Sequence, residues 1–229
     1  MYDCVVASSK TRPNPRRSPK PQERQRDPDR TRKLILEAAT AEFAAHGYAG
    51  ARIGAIANRA GVNQQLISYY FGGKEGLYQA ISEGWRERQK ELSAPDIPLS
   101  EQIRQYALEV LRSPDGVRLL AWSGLEYAGP ETDPDHESRS RQLQGDVNEV
   151  RDLQIAGKLP KEVDPACLMV MLMAAAMATT TLPHVIEGIC QVDPRSPEFV
   201  HHYADQVATI IRLLGLDPEN LPTDLPPKE

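Results

Sequence analysis

Two short helical patterns meet at one glycine in the stretch Ile53 to Tyr78, IGAIANRAGVNQQLISYYFGGKEGLY. No other segment leaves the chain so few options. Two helices crossing at a tight turn need a small residue where they touch, a glycine at the bend and apolar anchors into a core. Ala57 is the small contact residue, Gly61 makes the bend and Val62 plugs it. Ile53, Ile56 and Ala60 anchor the first helix, and Ile67 with Tyr70 or Phe71 anchors the second. A helical hairpin in any protein shows part of this set. The whole set within nineteen residues describes a helix-turn-helix.

The outward face of the second helix carries Asn63, Gln64, Gln65, Ser68 and Tyr69. A merely solvated face usually carries Glu and Lys; this one has amides and hydroxyls and no carboxylate. Glutamine pairs bidentately with adenine in the major groove. Serine and tyrosine hydroxyls reach phosphates and base edges. Gly72-Gly73-Lys74 then breaks the helix and lets another begin. The free N–H groups and dipole of that new N-terminus suit a phosphate, and Lys74 adds a full charge. No GxxxxGK[ST] occurs, so this is not a nucleotide loop.

Net charge over the 229 residues is −5, which alone argues against a polyanionic partner. Its distribution argues the opposite. Residues 1–90 hold 16 Lys and Arg against 9 Asp and Glu; residues 91–229 hold 11 against 23. A basic first third on an acidic remainder fits a chain whose one end meets nucleic acid. Residues 1–28, rich in Pro, Arg and Ser, lack the apolar surface to fold. Two readings fit them: a solvated tail behind a start assigned too early, or a basic arm that follows phosphates or enters a minor groove.

Cys4, Cys167 and Cys190 form no CxxC, so the thiols read as reduced, with neither a disulfide frame nor a zinc site. No apolar run follows the N-terminal charges, so no signal peptide is visible and a cytoplasmic location is expected. The longest apolar run, Ala166 to Leu182, lies between Pro165 and Pro183. It is near the lower length limit of a membrane span and contains three threonines, so a buried helix at an interface is expected instead.

Aromatic residues make up 6% of the chain, and β-branched residues do not alternate. The expected class is all-α. Asp27-Pro28 starts a helix that carries Leu34, Ile35, Ala38, Ala39 and Phe43 on one face and ends at Gly47. Further helices are expected over 52–60, 64–71, from Lys74 (Leu77, Ile81, Trp85 and Leu92 on one face), and then 100–112, 117–127, 137–156, 164–182 and 197–214. Pro95 and Pro98 mark a change of segment. The division is a basic arm over 1–28, a helix-turn-helix domain over 29–76, a helical body over 77–216 and a loose tail over 217–229.

The segment AIANRAGVNQQLISYYFGGKEGLYQAI, with RTRKLILEAATAEFAAHGY before it, resembles the N-terminal DNA-binding region of TetR-family transcriptional regulators from about Asp29 to Ile81. The later helices are similar only in number and length. The resemblance implies a homodimer with two helix-turn-helix heads and a divergent ligand-binding and dimerisation domain. It further implies a repressor on a palindromic operator in double-stranded DNA, released by a small-molecule effector, with no cofactor and no membrane partner. By position it puts Gln64 and Gln65 on bases, Tyr69 and Tyr70 on phosphates or bases, and Lys74 on a phosphate. Ala51 and Arg52 stand where relatives often have Ser or Thr, which cap the second helix and bind phosphate. Arg52 can take the phosphate role, and the cap must then come from elsewhere. Ser68 stands where many relatives have tyrosine.

Four methionines and several small residues make Ala166 to Leu182 apolar nearly all round, so it must be covered on most sides. The resemblance makes it half of a dimer bundle with 197–214. Trp122, Tyr127 and Leu119, joined by Tyr106 and Met173, are candidate ligand-pocket residues, and each also fits ordinary core. His201-His202 point different ways on a helix, and no metal site is expected. No Ser/His/Asp set, metal spacing or carboxylate pair supports catalysis. A regulator and not an enzyme is expected; the alternatives are a DNA-binding protein without small-molecule control and a helical enzyme. The helix from Lys74, carrying Trp85, is the expected lever between head and body.

Overall fold

The computed structural model describes residues 28–94 and 97–217. The basic arm, the Asp27 cap, Pro95 and the tail beyond Asp217 lie outside the described residues. Within them the chain forms ten α-helices and one short 3-10 turn, Pro130–Thr132, with no strand.

Four helices make the head: α1 (Pro28–Gly50), α2 (Ile53–Ala60), α3 (Gln64–Phe71) and α4 (Lys74–Leu92). Ile35, Phe43, Ile56, Ile67 and Leu77 are fully enclosed at their common centre. Burying five such side chains contributes on the order of 10 kcal/mol before entropy is counted. Phe43 meets Tyr78 edge-on, with ring centroids 5.5 Å apart. The regular helix of α1 is interrupted at Gly47, in the left-handed region at φ 69°. A Cβ there would also run into the Glu126 carboxylate.

The body follows as α5 (Leu99–Arg112), α6 (Pro114–Leu125), α7 (His136–Ile155), α8 (Pro165–Thr181), α9 (Pro183–Cys190) and α10 (Pro197–Leu213). Its core joins Ile103 and Ala107 of α5 to Val150 of α7, Leu168 and Leu172 of α8, and Ala204, Val207 and Ile211 of α10. Asp164 caps α8 by accepting from the Cys167 N–H at 2.8 Å, and Ser196 caps α10 at Phe199 N–H, 3.2 Å.

Two expectations change. Pro183 does not only end α8: it occupies the first turn of α9, where its missing N–H costs nothing. The two helices bend by 79° at that point. Asp217, expected at the head of a loose tail, is buried. Its carboxylate accepts from the Ser100 N–H at 2.8 Å and the Ser100 hydroxyl at 2.5 Å, so it satisfies the open N-terminus of α5 from 117 residues away. Among the described residues no single helix is long and apolar enough to cross a membrane.

Candidate nucleic-acid interface

The turn between α2 and α3 closes as its residues require. Gly61 is left-handed at φ 66°, and the Val62 N–H reaches back to the Ala57 carbonyl at 3.0 Å. This is a Schellman closure, open to glycine because it has no Cβ. Asn63 follows as the N-cap of α3, its side-chain oxygen accepting from the Leu66 N–H at 2.9 Å. Placed by the sequence on the reading face, Asn63 thus has a structural use as well. An Asn immediately before an apolar periodic run is a cap signal.

Ile67 locks α3 into the head, and the opposite face stays open: Gln64, Gln65, Ser68 and Tyr69 are all exposed, Tyr69 at 81%. The Gln64 amide lies over the first turn of α2, where a Cβ on Gly54 would come within 3.3 Å of its nitrogen. Tyr70 is different. It is half-buried against the head core, and its carbonyl accepts from the Arg32 guanidinium at 3.3 Å. Arg32 also sits 4.5 Å over the Phe71 ring, so the start of α1 clasps the end of α3. Sequence reasoning missed Arg32, and an arginine at helix start carries no local signal for such a contact.

Glu42 supplies the anchor that Ala51 and Arg52 cannot. It is 9% exposed, and its carboxylate accepts from the Arg52 N–H at 3.2 Å, placing negative charge at the start of α2. The Arg52 side chain is exposed. Gly72 and Gly73, at φ 73° and 114°, turn the chain into α4, and Gly76 lies against the Phe71 carbonyl where no Cβ fits. Lys74 stands half-buried at that corner. Its ammonium donates to the Ala49 carbonyl at 3.1 Å and lies 4.9 Å from the Tyr48 ring centre. One of its three donors is thus engaged within the head.

The five candidate pocket residues are not brought together. Leu119 of α6 lies in the core of the head, not in the body. The Trp122 indole N–H donates to the Ala44 carbonyl of α1 at 3.0 Å, and Tyr127 is exposed. Tyr106 packs on the body core, shares a 2.6 Å hydrogen bond with Ser93 and meets Trp85 edge-on. Met173 is half-buried on α8. One cleft of about 350 Å³ runs past Arg88, Glu109, Arg112 and His201, and another of about 390 Å³ past Glu42, His46 and Arg52; none of the five lines either. Near Tyr106, Gln89 and Gln142 share a hydrogen bond at 2.8 Å, and burial, helped by Glu149, pushes the Asp146 carboxyl up. Among the described residues no group of three His, Cys, Asp or Glu is placed to hold a metal ion.

A rigid helix-turn-helix head with an uncovered amide-and-hydroxyl face, fixed to a larger helical body, defines a DNA-binding regulator. Comparison with known proteins agrees. Residues 35–81 match the model of bacterial regulatory proteins of the tetR family, and residues 103–208 match the tetracyclin repressor-like C-terminal domain. The chain is 35% identical to the HTH-type transcriptional repressor SCO4008 of Streptomyces coelicolor, over 70% of this chain and 83% of the relative. It is 30% identical to the HTH-type transcriptional regulator RutR of Escherichia coli K12, over 79% and 88%. Among solved structures, the putative transcriptional regulator SCO4942 of Streptomyces coelicolor superposes with a TM-score of 0.63 at 27% identity, over 79% of this chain and 97% of that one. AibR, solved with isovaleryl coenzyme A and operator DNA, shares the fold at a TM-score of 0.59 and 18% identity, over 79% and 97%. The chain belongs to the TetR family of transcriptional regulators.

Proposed function

We propose that the protein is a homodimeric repressor that reads a palindromic operator through Gln64 and Gln65 and is released by a small molecule. The observation that carries the reading role is the α3 face: four polar side chains stand in solvent on a helix whose other side is locked by Ile67. Ser68 and Tyr69 on that face, with Arg52 and Lys74 outside α3, are assigned to phosphates, and Tyr70 supports from behind. The repressor role is supported by the relative from Streptomyces coelicolor, named as one.

Dimerisation is supported by what one protomer leaves uncovered. Val170 and Met171 of α8 and Ile210 and Leu213 of α10 all stand exposed. Large apolar side chains left in solvent on two helices of one body suit an interface, and a two-fold one repeats the same residues on both copies. Release by a ligand requires that it bind the form unable to grip DNA more tightly than the form that can. An operator implies a location with the bacterial chromosome, in the cytoplasm, and no catalytic role is proposed. A DNA-binding protein without small-molecule control is the second reading, favoured by the scatter of the five candidate pocket residues.

Selection of bound duplexes from a random pool tests the proposal. A two-fold symmetric site with half-sites one helical turn apart is expected. Recovery of an asymmetric site, or of no preferred sequence, would overturn it. Screening compounds for release of the selected duplex then separates the two readings.

A further inference from the structure

The cleft of about 350 Å³ lies where three helices meet: Arg88 comes from α4, Leu108, Glu109, Leu111 and Arg112 from α5, and His201 from α10. Its charges are unevenly satisfied. Glu109, 4% exposed, is the one acid on the lining among the described residues, and Arg88 holds it, with Nε and Nη2 each 3.3 Å from Oε2. The other terminal nitrogen of Arg88 donates to Glu91 at 2.7 Å. Arg112 differs. Its guanidinium is exposed and has no ion pair or hydrogen bond among the described residues, so its charge stands uncompensated on the cleft wall. His201 adds an exposed imidazole ring with an N–H to donate. Leu108 and Leu111 add apolar surface. An unpaired guanidinium, a ring N–H and two leucines suit an anion with a short apolar part. A guanidinium matches a carboxylate in particular, through two parallel hydrogen bonds. The volume is at the small end of ligand sites and suits an acid of few carbons.

The position of the cleft links it to the head. Leu77 and Tyr78 of α4 belong to the head core, and Arg88 stands ten residues beyond Tyr78 on the same helix, about 15 Å along it. The other two walls are joined to each other by Arg104 of α5 and Asp205 of α10 at 2.6 Å. His201 precedes the exposed Ile210 by nine residues, about two and a half turns, and so looks out from the opposite side of α10. The cleft therefore stays open when the proposed two-fold contact forms.

We propose that this cleft is the effector site and that the effector is a small organic carboxylate. Its carboxylate lies on Arg112 and accepts from the His201 ring N–H; its apolar part lies on Leu108 and Leu111. Filling the space between Arg88 and the joined pair of α5 and α10, it alters the angle at which α4 leaves the body, and with it the spacing of the two heads. The coupling is reciprocal, so carboxylate and operator weaken each other's binding by the same factor. This inference rests on the proposed release by a small molecule.

The test uses the full chain with butyrate, hexanoate, octanoate and phenylacetate as probes, at matched ionic strength. Hexanamide and inorganic phosphate are the comparisons. Calorimetry reads binding of each probe, and fluorescence anisotropy reads release of the selected operator. At least one carboxylate is expected to bind and, at saturation, to weaken the operator about tenfold or more. Arg112→Gln and His201→Gln replace exposed side chains, so both should fold, as circular dichroism checks. Arg112→Gln is expected to lose on the order of tenfold or more in carboxylate affinity. Arg118→Gln removes the same charge from α6, outside the cleft, and should respond as the wild type does. Undiminished release of Arg112→Gln by the carboxylate would overturn the proposal, as would hexanamide or phosphate acting as well as the acids. A wild-type chain released by an uncharged or cationic compound and by no carboxylate loses this site and keeps the proposed function. One that selects an operator and is released by nothing loses both the site and small-molecule control.

Discussion

Glu126 accepts a hydrogen bond from the backbone N–H of Tyr48 at 2.7 Å, tying the end of α6 to the end of α1 across 78 residues of sequence. The same carboxylate stands where a side chain on Gly47 would be. With Trp122 on the Ala44 carbonyl and Leu119 in the head core, α6 is wedged into the DNA-binding head. Beside it, α4 is tied to the body through Arg86 and Asp135 at 2.6 Å. The expected lever, α4, is thus one of two connections.

Glu126→Ala leaves the Tyr48 N–H without its partner. We expect a loss of about 1–3 kcal/mol in denaturant unfolding. Gly47→Ala is expected to lose at least as much, since it adds left-handed strain to the clash with Glu126. Midpoints equal to the wild type's for both variants would show that this junction contributes no stability.

Gln64→Ala is expected to cost roughly 1–3 kcal/mol of discrimination at one base position, symmetrically in both half-sites, with non-specific affinity nearly constant. The effect should exceed that of Gln65→Ala. Lys74→Ala should instead weaken all duplexes and flatten the salt slope by about one unit per protomer. An unchanged base preference in Gln64→Ala, or an unchanged slope in Lys74→Ala, would remove that residue from the interface.

A charge on α8 separates interface from core. The Ala175 carbonyl accepts from the Tyr203 hydroxyl at 2.8 Å, and Ala175 itself packs on the body core. Met171 is 67% exposed. Met171→Glu should yield folded monomers by light scattering, with helical circular dichroism retained. Ala175→Glu should instead unfold or aggregate, because it buries an unpaired charge. A dimeric Met171→Glu protein would move the interface off this face of α8.

Asp146 gives a pH signature. Burial, the larger cause, and Glu149 hold its carboxyl above the usual aspartate range. The unfolded chain then ionises first as pH rises, so the folded state is penalised from the unfolded pKa upward, fully so above the folded one. Asp146→Asn should raise the melting temperature at about pH 7 and leave it unchanged at about pH 3, where both forms are neutral. A lower melting temperature at neutral pH would mean that the ionised carboxylate has a favourable partner.

Sequence alone determined what depends on neighbours in the chain. The spacing of Ile53, Ile56, Ile67 and Phe71 and the single bend at Gly61 specify the helix-turn-helix, because capping and helical periodicity act within one or two turns. The amide face of α3 follows from the same periodicity, since its core side is set by Ile67. Tertiary structure alone decided the rest. Asp217 on Ser100, Glu42 on the Arg52 N–H, Glu126 on Tyr48 and Leu119 in the head each satisfy a demand raised by a distant helix. Such demands are unsatisfied backbone groups and open core volume, and they exist only once helices are packed together. An apolar or acidic residue with several possible partners carries no mark of which one it will meet.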